Sequence, residues 1–354
     1  MFTHAFSKKE KVVEPDGSTE PVHIAVCFDE NMDMPFLALA ESLRYSIKNR
    51  HRSLIIHAIY RGQLSETVSR LTSHNSDNFI VEFIRANIEL QTLPLRDVFT
   101  HATYTRLYLH IILSDIHKVV YLDPDTIVVN DISKLYDTEL NGCCLAASQD
   151  RGTAMMHSEY GFKVDKKIGL NAKHGDDINT YLRNVIGLKN GNEHLYFNDG
   201  VLLIDLDLWR SMNILGLAID FLHRNPDCLY LGQDALNAVL ATRYTILDDR
   251  WNSLAILVNE YHLNHFSYDS VKIINKWRND PWIVHYAGPN KPWRADRDRT
   301  MLDFYFWNAA KRSFAYPSLK RLHYASTPPM SKYKETRKFS PTLIERFKEL
   351  IGLI

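Results

Sequence analysis

The sequence predicts an α/β protein: a parallel sheet with crossover helices, followed by a small, mainly helical C-terminal region. Three observations carry this. Short apolar runs rich in Val, Ile and Tyr alternate with helix-spaced segments from His23 to Ile84, giving strand, helix, strand, helix, strand. Later, Val119-Val120-Tyr121-Leu122 and Thr126-Ile127-Val128-Val129 flank Asp123-Pro124-Asp125, so a strand ends at a stiff acidic turn. After Trp293 the pattern becomes aromatic and basic, without strand spacing.

The elements follow in order. Residues 1–21 read as a flexible lead. His23–Phe28 is the first strand, and Pro35 opens a helix with Phe36, Leu39, Ala40, Leu43 and Ile47 at helical spacing. Leu54–Tyr60 is the second strand, a polar helix surrounds Ser65–His74, and Phe79–Ile84 is the third strand. Tyr104–Leu109 starts a helix. Leu145–Ser148 is a short strand ending near Asp150, and residues 151–192, Gly-, Lys- and Asp-rich, read as a variable loop region and candidate lid. Val201–Leu206 is a strand, Trp209 lies on a helix, Gly232–Asn237 begins another, and Trp282–Val284 is the last strand. Pro341–Lys348 begins an amphipathic helix, read either as packing on the body or as lying on a membrane surface.

At 354 residues the chain exceeds the usual single-domain size, and 45% hydrophobic content supplies a full core. Net charge is zero, which gives no global pull towards nucleic acid or membrane. The charge is uneven: from Lys291 onward 14 basic residues face 6 acidic ones, so the body is acidic and the tail basic. No recognition-motif spacing accompanies that tail, and nucleic acid is not an expected partner. Cys27, Cys143, Cys144 and Cys228 lack zinc-ligand spacing and read as free thiols of a reducing cytosol. The polar Met1–Pro21 does not read as a signal peptide, and no run reaches the ~18 apolar residues of a membrane span.

The chemistry concentrates at strand ends. Extended backbone would turn Asp123 and Asp125 to the same side. Two convergent carboxylates repel unless a cation lies between them, and a divalent ion shared with a phosphate fits. An Asp-Pro-Asp turn with both acids in water is the alternative. Ligands of open parallel sheets sit beyond the carboxyl ends of the strands, so Asp29, Asn31, Asp123 and Asp125 could face one crevice. Arg106 reads as a surface ion pair or as a guanidinium aimed at phosphate. His285-Tyr286-Ala287-Gly288-Pro289-Asn290-Lys291-Pro292-Trp293 combines an imidazole, a Gly-Pro turn and a lysine, which suits a loop over a phosphate near a cation.

Taken together, Phe28-Asp29-Glu30-Asn31, Thr103-Tyr104-Thr105-Arg106-Leu107, Tyr121–Asp125, Tyr196-Phe197-Asn198-Asp199-Gly200-Val201-Leu202, Gln233-Asp234-Ala235-Leu236-Asn237 and His285–Trp293 resemble the family 8 retaining glycosyltransferases, especially bacterial enzymes that extend lipopolysaccharide or lipooligosaccharide. The resemblance implies a GT-A type nucleotide-diphospho-sugar transferase fold, Rossmann-like, over residues 22–293, with residues 294–354 as the basic, aromatic helical region. It implies Mn²⁺ (or Mg²⁺) on Asp123, Asp125 and His285, uridine on Asp29 and Asn31, a sugar pocket of Arg106, Asp150, Asn198 and Gln233, and phosphate contacts from Gly288 and Lys291. The donor it implies is a UDP-hexose, UDP-galactose or UDP-glucose, and the acceptor a saccharide or glycolipid. Two departures stand out: Gly232 where the family commonly has an acid, and Met32 where it often has an aromatic.

Retention could proceed through a covalent glycosyl-enzyme on Asp234 or Asp150, or by front-face attack beside Gln233. Front-face attack is the preferred expectation, since a neutral amide is a poor nucleophile. The expected location is cytoplasmic, with peripheral contact at the inner membrane face through the C-terminal region. Two rivals compete. Leu122–Thr126 also matches the nucleophile strand of haloacid-dehalogenase-like Mg²⁺ phosphohydrolases, with Asp123 as nucleophile and Asp248-Asp249 as a later acidic pair. The other is a nucleotide-sugar binder without turnover.

Overall fold

The computed structural model describes residues 20–325 apart from 50, 91, 96–99, 154–176, 259–265, 289–290 and 295–298. The flexible lead and the amphipathic helix expected at Pro341–Lys348 thus fall almost wholly outside the described residues. The first half keeps the expected rhythm: β1 (Val22–Phe28), helix Asp33–Arg44, β2 (Leu54–Tyr60), the helical turns Glu66–Ser69 and Arg70–His74, and β3 (Phe79–Arg85). The segment expected to start a helix at Tyr104 is a 3₁₀ stretch, His101–Tyr108, that runs into the helix Leu109–Ile112. Further strands are β4 (Lys118–Leu122), β5 (Thr126–Val128), β6 (Leu145–Gln149), β7 (Phe197–Asp205), β8 (Thr245–Ile246), β9 (Ser253–Leu254) and β10 (Ile283–His285).

Seven strands form one sheet in the order β3-β2-β1-β4-β7-β6-β8, and β5-β10-β9 form a second. β1, β2, β3 and β4 are mutually parallel where they pair. β7, however, runs antiparallel to both β4 and β6, so the sheet is mixed rather than parallel throughout. An apolar run such as Val201–Ile204 reports burial on both faces but not direction. β7 also begins four residues earlier than the apolar run, at Phe197, and so takes Asn198, Asp199 and Gly200 into the strand.

Alternation along the strands builds two cores. Ile24, Val26, Phe28, Val120, Leu122, Val201 and Leu203 pack on one face with Phe36, Leu39 and Leu43 of the helix Asp33–Arg44. Each such buried side chain contributes about 1.5–3 kcal/mol. On the other face Ala25, Cys27, Val119, Tyr121, Leu202 and Ile204 meet Tyr104, Leu107 and Leu236. A third cluster joins Ile127, Leu254 and Val284 of the small sheet to Trp277 on the helix Tyr268–Asn279 and Phe306 on the helix Asp303–Arg312. Trp293 and Phe306 rings lie 5.2 Å apart, so the aromatic segment after the last strand packs against the body.

Of the region expected to be a loop and candidate lid over 151–192, residues 154–176 lie outside the described residues, and the described remainder holds a seven-residue helix, Ile178–Asn184. Asp177 caps it by accepting from the Thr180 N–H at 3.0 Å, and Tyr181 and Leu182 bury its inner face. Two turns are too short to display helical periodicity in sequence. All four cysteines are free thiols. Among the described residues no helix is long and apolar enough to cross a membrane.

Candidate active site

Pairing register brings the expected residues to one sheet edge. Val26 pairs with Leu122, so β1 and β4 release Asp29 and Asp123 at the same end. Thr126 turns back on Asp123, its Oγ1 donating to the Asp123 carbonyl at 2.7 Å. β10 then pairs antiparallel with β5, matching His285 to Thr126, and the Tyr286 N–H donates to the Asp125 carbonyl at 3.0 Å. The imidazole therefore faces both carboxylates. His285 Nε2 lies 3.4 Å from Asp125 Oδ1 and 3.8 Å from Asp123 Oδ2. One donor atom from each of the three residues lies within 4.8 Å of the others.

Two carboxylate oxygens and one imidazole nitrogen suit a divalent ion of the Mn²⁺ or Mg²⁺ kind. Burial alone would push the Asp125 carboxyl up, but Lys291 and His285 beside it hold it below the usual carboxylate range. Burial lowers the His285 imidazole, and the facing Asp125 and Asp123 outweigh it and raise it. The corner is thus a negative site already answered by positive groups.

Gly200 makes the approach possible. A Cβ there would lie 2.3 Å from His285 Cε1 and 2.9 Å from Asp123 Oδ2. Lys291 Nζ donates to Asp125 Oδ2 and, at 2.9 Å, to the Tyr286 carbonyl. Gly288 has φ +79°, a backbone conformation that favours glycine, in the turn between His285 and Lys291.

Arg106 is buried, which corrects the surface ion pair allowed by the sequence. Its Nη2 donates to Asp123 Oδ1 at 2.8 Å, and its Nη1 reaches the Asp199 carbonyl at 2.7 Å and carboxylate at 2.8 Å. Its guanidinium lies 4.7 Å over the Tyr121 ring, whose hydroxyl donates to the same Asp123 oxygen at 2.6 Å. Burial pushes the Asp199 carboxyl up to about 6 even with Arg106 alongside, and Asp123 adds repulsion.

A second polar cluster adjoins the first. Gln233, at the start of the helix Gly232–Leu240, donates through Nε2 to Asp150 Oδ2 at 2.9 Å and to the Tyr196 hydroxyl at 3.0 Å. Asn198 Nδ2 donates to Gln233 Oε1 at 3.1 Å. Asp150 is also tied to Thr153, accepting from its N–H at 2.8 Å. Asp234 has no exposed surface; it accepts from the hydroxyls of Tyr181 and Tyr196 at 2.6 and 2.5 Å and from the Tyr230 N–H at 2.7 Å. Burial raises its carboxyl, against those donors. Such a carboxylate anchors the helix start and has no face open to a substrate.

At the outer end of the edge, Asp29 accepts from Thr100 Oγ1 at 2.7 Å and from the Asn31 N–H at 3.0 Å. Asn31 is exposed, and Met32 packs against two of the cores. Sequence reasoning missed Asp199, Tyr121, Tyr196 and Asn252 as parts of this site. Tyr121, Tyr196 and Asp199 lay inside stretches already singled out, whereas Asn252, whose Oδ1 lies 2.8 Å from His285 Nδ1, carries no local signal.

The model of the glycosyl transferase family 8 matches residues 23–297, spanning every one of these side chains. The chain belongs to glycosyl transferase family 8. Among this family member's relatives, General stress protein A of Bacillus subtilis is 26% identical over 294 residues, covering 81% of this chain and 92% of its own. Lipopolysaccharide 1,3-galactosyltransferase of Salmonella typhimurium is 29% identical over 211 residues, covering 58% of this chain and 53% of its own. The chain thus spans about half the length of that second relative.

Among solved structures, the bifunctional glycosyltransferase WbbM superposes with a TM-score of 0.69 at 21% identity, covering 88% of this chain and 53% of WbbM. An active-site mutant of LgtC superposes with a TM-score of 0.64 at 23% identity, covering 85% of this chain and all of LgtC. The fold of this family 8 glycosyltransferase is accordingly GT-A. The phosphohydrolase reading falls with this membership. Its proposed acidic pair is engaged elsewhere, with Lys276 Nζ donating to Asp248 at 2.9 Å and to Asp249 at 2.8 Å.

Proposed function

We propose that this enzyme moves a hexose, galactose or glucose, from a UDP-sugar to a hydroxyl of a saccharide or glycolipid acceptor, with lipopolysaccharide core or another surface glycan as the acceptor class. We propose also that it retains the anomeric configuration. The observation that carries the reading is the convergence of Asp123, Asp125 and His285 beside the Asp150–Asn198–Gln233 cluster. Galactosyl- and glucosyltransferases of lipopolysaccharide among the relatives support the substrate class.

When bound at Asp123, Asp125 and His285, Mn²⁺ or Mg²⁺ supplies positive charge for the departing diphosphate. Lys291 adds a second charge from the loop side, and Gly288 lets the backbone come close to the phosphates. Asp29 and Asn31 hold the uridine. Arg106 keeps Asp123 in its rotamer while balancing Asp199. Asp150, Asn198 and Gln233 orient the sugar hydroxyls, and Asp234 positions Gln233 by fixing Tyr196. The acceptor hydroxyl attacks from the side the leaving group departs, and a diphosphate oxygen takes its proton. Residues 294–354 supply the peripheral membrane contact that a glycolipid acceptor calls for.

A screen of UDP-sugars for Mn²⁺-dependent hydrolysis tests this, scored by the sugar released. UDP-galactose or UDP-glucose should be consumed, EDTA should stop the reaction, and added Mn²⁺ should restore it. Full turnover in EDTA would overturn the reading. Tight UDP binding with no sugar released under any acceptor would point to a binder instead.

A further inference from the structure

We infer that Asn252 is a positioning residue that fixes the tautomer of His285, because its own amide is oriented by the chain of amides that also includes Asn198 and Gln233. The inference builds on the proposed cation site but is argued from hydrogen bonds in the protein itself. Asn252 ends the 3₁₀ turn Asp249–Asn252 just before β9, the strand whose Leu254 pairs with His285. It is buried and lies between the two polar clusters.

The polarity of the chain of amides is set by two backbone donors. The Gly200 N–H points at Asn198 at 3.0 Å, and a backbone N–H can only donate, so the Asn198 atom there is its oxygen. Asn252, 2.8 Å from that same oxygen, must therefore present its NH₂ to it. The other end of the Asn252 amide is then its oxygen, 2.8 Å from His285 Nδ1. An amide oxygen only accepts, so Nδ1 carries the proton, and in the neutral ring the Nε2 lone pair faces Asp123 and Asp125.

The same logic runs the other way. With its oxygen used twice, Asn198 gives its NH₂ to Gln233 Oε1 at 3.1 Å. The Asp199 N–H donates to that same Oε1 at 3.2 Å, which fixes it as the oxygen. Gln233 Nε2 is thereby directed to Asp150 and to Tyr196, whose hydroxyl proton goes to Asp234. One relay, His285–Asn252–Asn198–Gln233, thus joins the imidazole to the sugar-side amide. Removing Asn252 would leave the His285 tautomer unset, while the Gly200 and Asp199 N–H groups keep Asn198 and Gln233 oriented.

Two variants separate the halves. Asn252→Ala removes the acceptor at Nδ1. Asn252→Asp keeps an acceptor there but cannot donate to Asn198. Mn²⁺ affinity is measured by calorimetry, and the ring ¹⁵N shifts of His285 are recorded in metal-free protein at alkaline pH. The Ala variant should bind Mn²⁺ about 10–100-fold more weakly and show mixed tautomers. The Asp variant should keep near-wild-type affinity and the Nδ1–H tautomer, and in both variants the Gln233 amide, still held by the Asp199 N–H and Asp150, should keep its orientation. Should the Ala variant fail to fold, Asn252→Ser, too short to reach the ring, carries the same comparison.

An unchanged Nδ1–H tautomer in the Ala or Ser variant sinks the inference, whatever the cation does. Absence of Mn²⁺ binding by the wild type sinks the cation site instead, and the tautomer measurement still judges Asn252.

Discussion

Lys291 and Asp125, 166 positions apart, form an ion pair at the edge of the cation site. The same ammonium reaches the Tyr286 carbonyl, so the loop after β10 is latched to the turn after β4. Lys291→Met removes a charge that the proposed reaction places against the departing diphosphate. We expect kcat to fall about 10²–10³-fold, the cost of losing one such donor. Mn²⁺ affinity should change far less, because His285 and both carboxylates remain. Steady-state kinetics with calorimetry on the same sample check this; an equal loss in both would mean that Lys291 serves the cation instead.

Gly200→Ala places a methyl 2.3 Å from His285 Cε1. Either the imidazole or β7 must move. Overpacking of this kind costs about 1–3 kcal/mol of stability, and the displaced ring should weaken cation binding on the order of 10–100-fold. Denaturant titration and calorimetry read the two effects. Wild-type affinity in this variant would mean that His285 is not a ligand.

Gln233→Ala should slow transfer without abolishing it, since Asp150 and Asn198 remain to orient the sugar. Asp234 should carry no sugar in any variant, because its oxygens are buried under Tyr181, Tyr196 and Tyr230. Intact-mass spectrometry after incubation with donor checks both. A hexose adduct mapped to Asp234 would overturn front-face attack.

Acid should destabilise the fold through His57. Burial pushes its imidazole down to about 4, with His23 at 3.0 Å adding repulsion, and the half-exposed Glu82 at 3.1 Å does not offset this. The unfolded chain takes up this proton near 6.5 and the folded one near 4, so between those values the unfolded state holds more protons. Stability should therefore fall as pH drops from 6.5 to 4, by up to about 3 kcal/mol. Melting curves across that range measure the slope, and His57→Gln should flatten it. A slope identical in the variant would assign the acid lability elsewhere.

Much of this was readable along the chain, but unevenly. Leu54–Tyr60 appeared with the bounds found for β2, because a short run of buried apolar residues is a local pattern. Asp123-Pro124-Asp125 announced itself through two apolar runs broken by proline. The helix Ile178–Asn184 stayed hidden because two turns give no period to detect. Arg106 was legible as a cation of consequence, yet its burial between Asp123 and Asp199 depends on β7 lying beside β4.

By itself the sequence determined where the longer apolar strands fall, though not the two-residue β8 and β9, and that two acids stand at a strand end. These follow from near-neighbour chemistry, from alternation and the rigidity of proline. Only the tertiary structure decided the direction of β7, the pairing of β10 between β5 and β9 that turns His285 onto the acids, and the amide relay through Asn252. Each of those joins residues dozens to more than a hundred positions apart. No local propensity encodes such a pairing; the register of strands brought together by the whole core does.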